Sequence, residues 1–530
     1  MPSRRYKKIS ESEADIQDAS GVVSRKEDPS IARLPRLEIL VYTVVAVICF
    51  ICYPMYNVYK ESQASAFRFY GVLADGYNLF GGLKDEGDFE WNFWRELVTV
   101  QAGVIVFVYI AVGRLAETFC PEWRNTLLLV LSLSSVTLLA TWRCMLVLLL
   151  NAAFMYFASF SKRALVVWVA ALLQLYSITN SFLIFYLNNF IENSFDYHLT
   201  IFCVALCNLR FLSFCLDYCS SKSEDTTKFS HKDFLLYVFY FPLFFFGPLM
   251  MYKDFHHQIE KKSEKLSSSQ IGQVVKDLAR YMLYIIFIEI VLHFLFFAAY
   301  HQRANILTGL PLWALAGNAL CHLIFFQLKY QVMFGIPNAV AMLDRVDTFK
   351  PPVCIFSIYT FADMWRYFDR GLHSILLNYI YIPIGGSRCG TFRQLIGSLL
   401  CFIFVFYWHG LEEHIFYWAL FNWVGVVIET IVNQVSKTEK AKSFKLNLSG
   451  ASLRRVTAVF SVPGYIALSL ANLLFLSGIS MGYIYFERLI ITSFPIGPLV
   501  LLLLYYCMIQ LILECHRICG KKYFCEKKYY

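Results

Sequence analysis

Charge is what this chain lacks. Of its 530 residues only 16% are Asp, Glu, Lys or Arg, against roughly 25% in an ordinary soluble domain. A soluble fold of this length needs far more polar surface. The 47 basic and 38 acidic side chains leave a formal net charge of +9 without a basic stripe. That is too dilute to hold a phosphate backbone, so no nucleic-acid partner is expected. The N-terminus lacks the charged-then-apolar layout of a cleaved signal peptide. No internal repeat is visible, which weighs against an inverted-repeat transporter. Cys49 and Cys52 have C-x-x-C spacing but no second pair to complete a zinc site. They sit in an apolar run, as do Cys203, Cys207 and Cys401, and read as small buried hydrophobes.

What is present is apolar: 58% of residues are hydrophobic and 18% aromatic. This excludes a disordered chain, a collagen-like fibre and a disulfide-stapled secreted module. It leaves a channel, a transporter or a membrane enzyme. Membrane-length apolar windows fall at 37–57, 98–114, 126–142, 144–160, 164–188, 199–217, 233–251, 281–300, 305–336, 394–411, 413–434, 456–486 and 494–515. Not all of them become full spans. Windows such as 126–160 and 305–336 are candidates for broken or re-entrant helices buried in protein. The expectation is an all-α polytopic membrane protein with about ten to twelve transmembrane helices.

Three regions follow: a polar tail over 1–36 that reads as disordered and cytosolic, a membrane domain over 37–515, and a basic tail over 516–530. The loop 58–97 is acidic and reads as lumenal, whereas 252–280 and 435–455 are basic and read as cytosolic. Both termini then lie in the cytosol, the number of spans is even, and the sequon at Asn447 stays unglycosylated. The chain ends Lys527-Lys528-Tyr529-Tyr530. That resembles a dilysine retrieval signal and points to the endoplasmic reticulum membrane. Cys515, Cys519 and Cys525, beside the last span among basic residues, are candidates for S-palmitoylation.

The chemistry concentrates between 351 and 429. His409 ends an uncharged run of about fifteen residues inside Tyr407-Trp408-His409-Gly410. Desolvation lowers the pKa of such an imidazole and keeps it able to accept a proton. Trp408 can exclude water, and Gly410 leaves room for close approach. The bland alternative is an interfacial histidine packed among aromatics. Asp369 is the second candidate. On a continuous helix Trp365, Arg366 and His373 share its face, which allows a buried carboxylate to stay ionised or, equally, a structural ion pair. Cys354, after Pro351-Pro352, reads alone as a buried or lipid-modified thiol. Glu289 and His293 form an i, i+4 pair that reads first as a helix–helix polar contact and second as a proton relay or partial metal site.

The run Met364-Trp365-Arg366-Tyr367-Phe368-Asp369 with Gly371-Leu372-His373, then Tyr381-Ile382-Pro383 and Gly385-Gly386, then Tyr407-Trp408-His409-Gly410 and Asn422-Trp423, resembles the membrane-bound O-acyltransferase superfamily. Within it the likeness is to the Hedgehog acyltransferase branch, and it extends upstream through Leu328-Lys329-Tyr330, Phe334-Gly335-Ile336-Pro337, Phe241-Pro242 and Gly247-Pro248. The resemblance implies a helical fold with re-entrant segments around a central tunnel. It implies His409 and Asp369 as the catalytic pair and Trp365, Arg366, His373, Trp408 and Asn422 as substrate-binding residues. It implies palmitoyl-CoA as co-substrate and, as acceptor, the N-terminal cysteine of a Hedgehog-type secreted protein. Cys354 aligns with a cysteine that ligates a haem iron. The same superfamily holds enzymes for serine, sterol and lysolipid acceptors and non-catalytic regulators lacking the histidine, so these readings remain open.

Overall fold

The computed structural model describes residues 32–80, 82–221, 228–260 and 266–519. Most of the 1–36 tail, the Lys527-Lys528 signal, Cys525 and the Cys519 side chain therefore lie outside the described residues. Among the described residues nine helices are long and apolar enough to cross a membrane: Arg36–Ala64, Val100–Phe119, Pro121–Ser159, Ser194–Ser220, Leu312–Leu343, Thr391–Trp408, Glu413–Val435, Gly450–Thr492 and Ile496–Ile518. A tenth comes from Ala164–Ser177 and Ser181–Ile191 if that pair, bent by 66°, is one span. Among the described residues strand is confined to a hairpin pairing Leu73–Asp75 with Leu83–Asp85.

The windows and the helices differ in instructive places. The 305–336 window is broken near its start: a one-turn helix, Ala304–Leu307, and a turn over 308–311 precede one continuous helix, Leu312–Leu343, that runs straight through Pro337. The windows 126–142 and 144–160 join in one helix, Arg124–Ser159, kinked at Thr141, whose φ is +65°. Across 233–251 there is no span. A nine-residue helix, His231–Phe239, gives way to a 3-10 turn and irregular chain where Pro242 and Pro248 forbid helix. Non-helical backbone at membrane depth must have its polar groups satisfied by protein. Arg210, itself buried, does this: its guanidinium donates to the carbonyls of Val238 (3.2 Å), Leu243 (2.5 Å) and Phe244 (3.1 Å).

Two helices form the hub. In Ser194–Ser220 and Leu312–Leu343 most of the apolar window is buried in protein, whereas the other spans leave most of theirs exposed. Exposed side chains such as Val104, Phe107, Phe460 and Leu502 suit a hydrocarbon surrounding. The acidic 58–97 loop is not a solvated excursion. Its hairpin and the helix Phe89–Leu97, N-capped by Asp88 (2.8 Å to the Trp91 amide), dock into the bundle. Glu289 receives Lys84 at 2.5 Å and the Trp91 indole N–H at 3.0 Å, and His293 Nε2 accepts from the Tyr77 amide at 2.9 Å. The i, i+4 pair is thus a polar contact between elements, and no group of three His, Cys, Asp or Glu side chains fit to hold a metal ion is present among the described residues. Lys329, buried, bridges Asp88 at 2.8 Å and Glu90 at 2.7 Å, and Asp85 accepts from the Ala298 and Ala299 amides. The cysteines whose side chains are described are free thiols.

Candidate active site

His409 is the C-cap of the span Thr391–Trp408. The helix stops here because Gly410 takes φ +103°, a conformation that side chains resist. A Cβ on Gly410 would meet nothing within 4 Å. The glycine sets the backbone direction, and the open space beside it is the room for close approach that the sequence leads one to expect. The turn aims the imidazole inward, among the rings of Trp408 (4.7 Å between centroids), Phe475 (5.4 Å) and Trp418 (5.8 Å), all edge-on. Trp408 is pinned in turn, its indole N–H donating to the Ala205 carbonyl at 2.8 Å on the hub helix. His409 as a residue is only partly buried. Burial, then the nearby His414, lowers its pKa to about 4, so the imidazole is neutral at physiological pH.

Asp369 occupies a different local structure from the one its spacing predicts. The helix is broken: Phe361–Tyr367 ends, and Arg370–Leu376 begins with Asp369 as its N-cap, the carboxylate accepting from the Leu372 amide at 2.9 Å. The shared face with Trp365 and Arg366 therefore does not exist. Arg366 is half-exposed and pairs with Asp363 at 2.9 Å. His373 lies one turn into the second helix, its amide bonded to the Asp369 carbonyl, and burial followed by Arg366 lowers its pKa to about 4. A close approach seats this second helix. A Cβ on Gly371 would fall 2.3 Å from the Leu249 carbonyl oxygen, in the irregular segment that Arg210 stitches down.

Burial pushes the Asp369 carboxyl up to about 6, against the pull of the Leu372 and Gly371 amides. The carboxylate form dominates above that pH and is lost below it. If the ionised form orients the site, turnover falls as pH drops through about 6, and Asp369→Asn removes that limb. A kcat profile from pH 5 to 8 checks this; an unchanged limb in the variant excludes Asp369 as its source. His409, already neutral, adds no limb there.

The structure joins the remaining candidates in two ways. Trp365 donates its indole N–H to Asn422 Oδ1 at 3.0 Å and packs against Phe402 and Trp418. Asn422 is buried, and its Nδ2 donates to the Trp418 carbonyl. Its amide is engaged by the protein on both sides and holds the Trp365 indole in place. Asp369 and His409 do not bond each other. An aromatic chain spans them: Phe368 stacks on Phe326 at 4.7 Å, Phe326 meets Phe475 at 6.2 Å, and Phe475 meets His409. Sequence reasoning missed Glu429, whose carboxylate accepts from the Phe361 and Ala362 amides. An unpaired carboxylate in an apolar span was the signal that could have found it. Cys354 begins a 3-10 turn, exposed, with the Phe356 amide serving its sulfur.

A polytopic helical protein with a neutral imidazole ringed by aromatics and a partly buried, helix-capping carboxylate is equipped for proton transfer inside a membrane. Residues 153–468 match the membrane-bound O-acyltransferase family, and the chain belongs to that family. It is 31% identical to mouse protein-cysteine N-palmitoyltransferase HHAT over 449 residues, 81% of this chain and 88% of that one. It is 28% identical to the mouse HHAT-like protein, covering 86% and 90% of the two chains, and 26% identical to fruit-fly protein-cysteine N-palmitoyltransferase Rasp, covering 54% and 57%.

Proposed function

We propose that this protein transfers palmitate from palmitoyl-CoA to the N-terminal cysteine of a Hedgehog-type secreted protein, with His409 as general base. The observation that carries this reading is the neutral imidazole inside its aromatic enclosure. An α-amine has a pKa near 7.7–8.0 and is partly protonated at neutral pH. The neutral amine nitrogen attacks the thioester carbonyl carbon, and the C–N bond forms as the C–S bond breaks. His409 takes the amine proton and returns it to the departing CoA thiolate, leaving an amide and free CoA. Asp369 tunes and orients the site from its capping position, and Trp365 and Trp408 exclude water. The activities named for the relatives and the family membership support this reading. For localisation the proposal is the endoplasmic reticulum membrane with both termini cytosolic, the basic 252–280 and 435–455 loops lying on the cytosolic side.

The test is incubation of purified protein with labelled palmitoyl-CoA and a short peptide beginning Cys-Gly. Label in amide linkage on the peptide supports the reading, label on lipid selects a lipid acceptor, and absence of any transfer by folded protein overturns it.

A haem would rest on Cys354 alone. Its thiol is exposed, and its sulfur is the atom that would hold the iron. Such a group would brace the turn after Pro351-Pro352 and supply no acyl-transfer step. Purified protein is expected to show a Soret band that Cys354→Ser abolishes or shifts; a band unchanged in that variant removes Cys354 from the assignment.

A further inference from the structure

We infer that Glu429 is a positioning residue for acyl transfer, tying the segment that carries Asp369 to the helix that walls His409. The inference rests on the acyl-transfer reading above. Glu429 is the only charged residue in the last twenty-one positions of the helix Glu413–Val435. A carboxylate in such a run is costly unless matched. Here both oxygens are used, accepting the amides of Phe361 (2.6 Å) and Ala362 (3.0 Å). These are first-turn amides of the helix Phe361–Tyr367 and have no partner within it. Thr360 takes the next one, from Asp363, at 3.2 Å.

Glu429 completes a stripe. Positions 418, 422, 425 and 429 recur at helical spacing on one face. Trp418 touches both His409 and Trp365. Asn422 holds the Trp365 indole. Gly425 leaves the room that Phe361 fills, since a Cβ there would lie 2.5 Å from the Phe361 ring. Glu429 fixes the first turn. One rigid helix face thereby sets the depth, rotation and axial register of the 361–367 helix, and the chain from there reaches Asp369 in two residues. The same face sets the His409 ring through Trp418. Glu429 touches no reacting atom in this scheme; it acts by holding Asp369 in register with His409.

Two readouts test this in purified full-length protein. Hydrogen exchange at residues 361–369 reads the anchor without any acceptor, so it tests the anchor whichever acceptor is correct. Glu429→Ala is expected to speed exchange there at least ~10-fold while distant spans stay protected. In the transfer assay, Glu429→Ala is expected to lower kcat by about 10²-fold with KM for palmitoyl-CoA within about twofold. Glu429→Gln, which keeps one acceptor oxygen, is expected to fall between the two. In an Asp369→Asn background the further loss from Glu429→Ala shrinks to less than about twofold, because its effect runs through Asp369. Unchanged exchange in Glu429→Ala overturns the anchor. Full kcat, or an equal loss in both backgrounds, overturns the positioning role.

Discussion

His409→Ala is expected to lower palmitoyl transfer by about 10²–10⁴-fold, the range that a positioned general base contributes, while the protein keeps its melting temperature. The expectation of retained folding has a specific basis. The ring meets Trp408, Trp418 and Phe475 edge-on, and the turn is set by the backbone of Gly410. Removing the imidazole takes away a functional group without cutting a hydrogen-bond network. His409→Gln keeps much of the volume and polarity but cannot take a proton, so it separates the base from its packing and is expected to lose as much. Rates from single turnovers, measured alongside thermal unfolding, check both statements. A variant within a few-fold of wild type would transfer the base role to another residue.

Lys329→Ala is expected to be the most damaging single change to stability. Lys329 is almost fully buried and bridges Asp88 and Glu90. Its removal leaves two carboxylates of the docked 83–97 segment without their cation. Breaking a buried pair by deleting one partner costs about 3–5 kcal/mol, and the partial exposure of Glu90 places this case near the lower end. Tyr330, the next residue, donates to Glu90 and lies beside Phe368, so undocking should also disturb the chain next to Asp369. The measurement is thermal unfolding in detergent micelles together with proteolysis of the 66–98 segment. Lys329→Arg is expected to recover part of the loss, because it restores a cation there.

Apolar span content was legible because burial in hydrocarbon is a property of composition over about twenty residues. The Trp408-His409-Gly410 turn was legible because an ionisable ring at the end of such a run stands out. Trp365 and Asn422 were singled out, but as substrate contacts; their mutual bond crosses 57 residues of chain and no periodicity reports it. The geometry at Asp369 failed for a related reason. A face argument assumes an unbroken helix, and the break at Phe368–Asp369 is held by the carboxylate's own capping bond and by Gly371 against Leu249. The 233–251 window misled because hydropathy cannot distinguish a membrane helix from irregular chain whose carbonyls a distant arginine satisfies. The docking of the acidic 58–97 loop into the bundle has no sequence signal either. Arg95 pairs with Glu86 within the loop, while Glu289 meets Lys84 and Lys329 meets Asp88 and Glu90 from the bundle.

The most direct test is a structure of the purified protein bound to a non-hydrolysable palmitoyl-CoA analogue. The account predicts the analogue's carbonyl carbon inside the enclosure of Trp408, Trp418 and Phe475, close enough to the imidazole for a bound amine to be shared at hydrogen-bond distance, about 3 Å. An analogue seated elsewhere, with its carbonyl remote from His409, would contradict it.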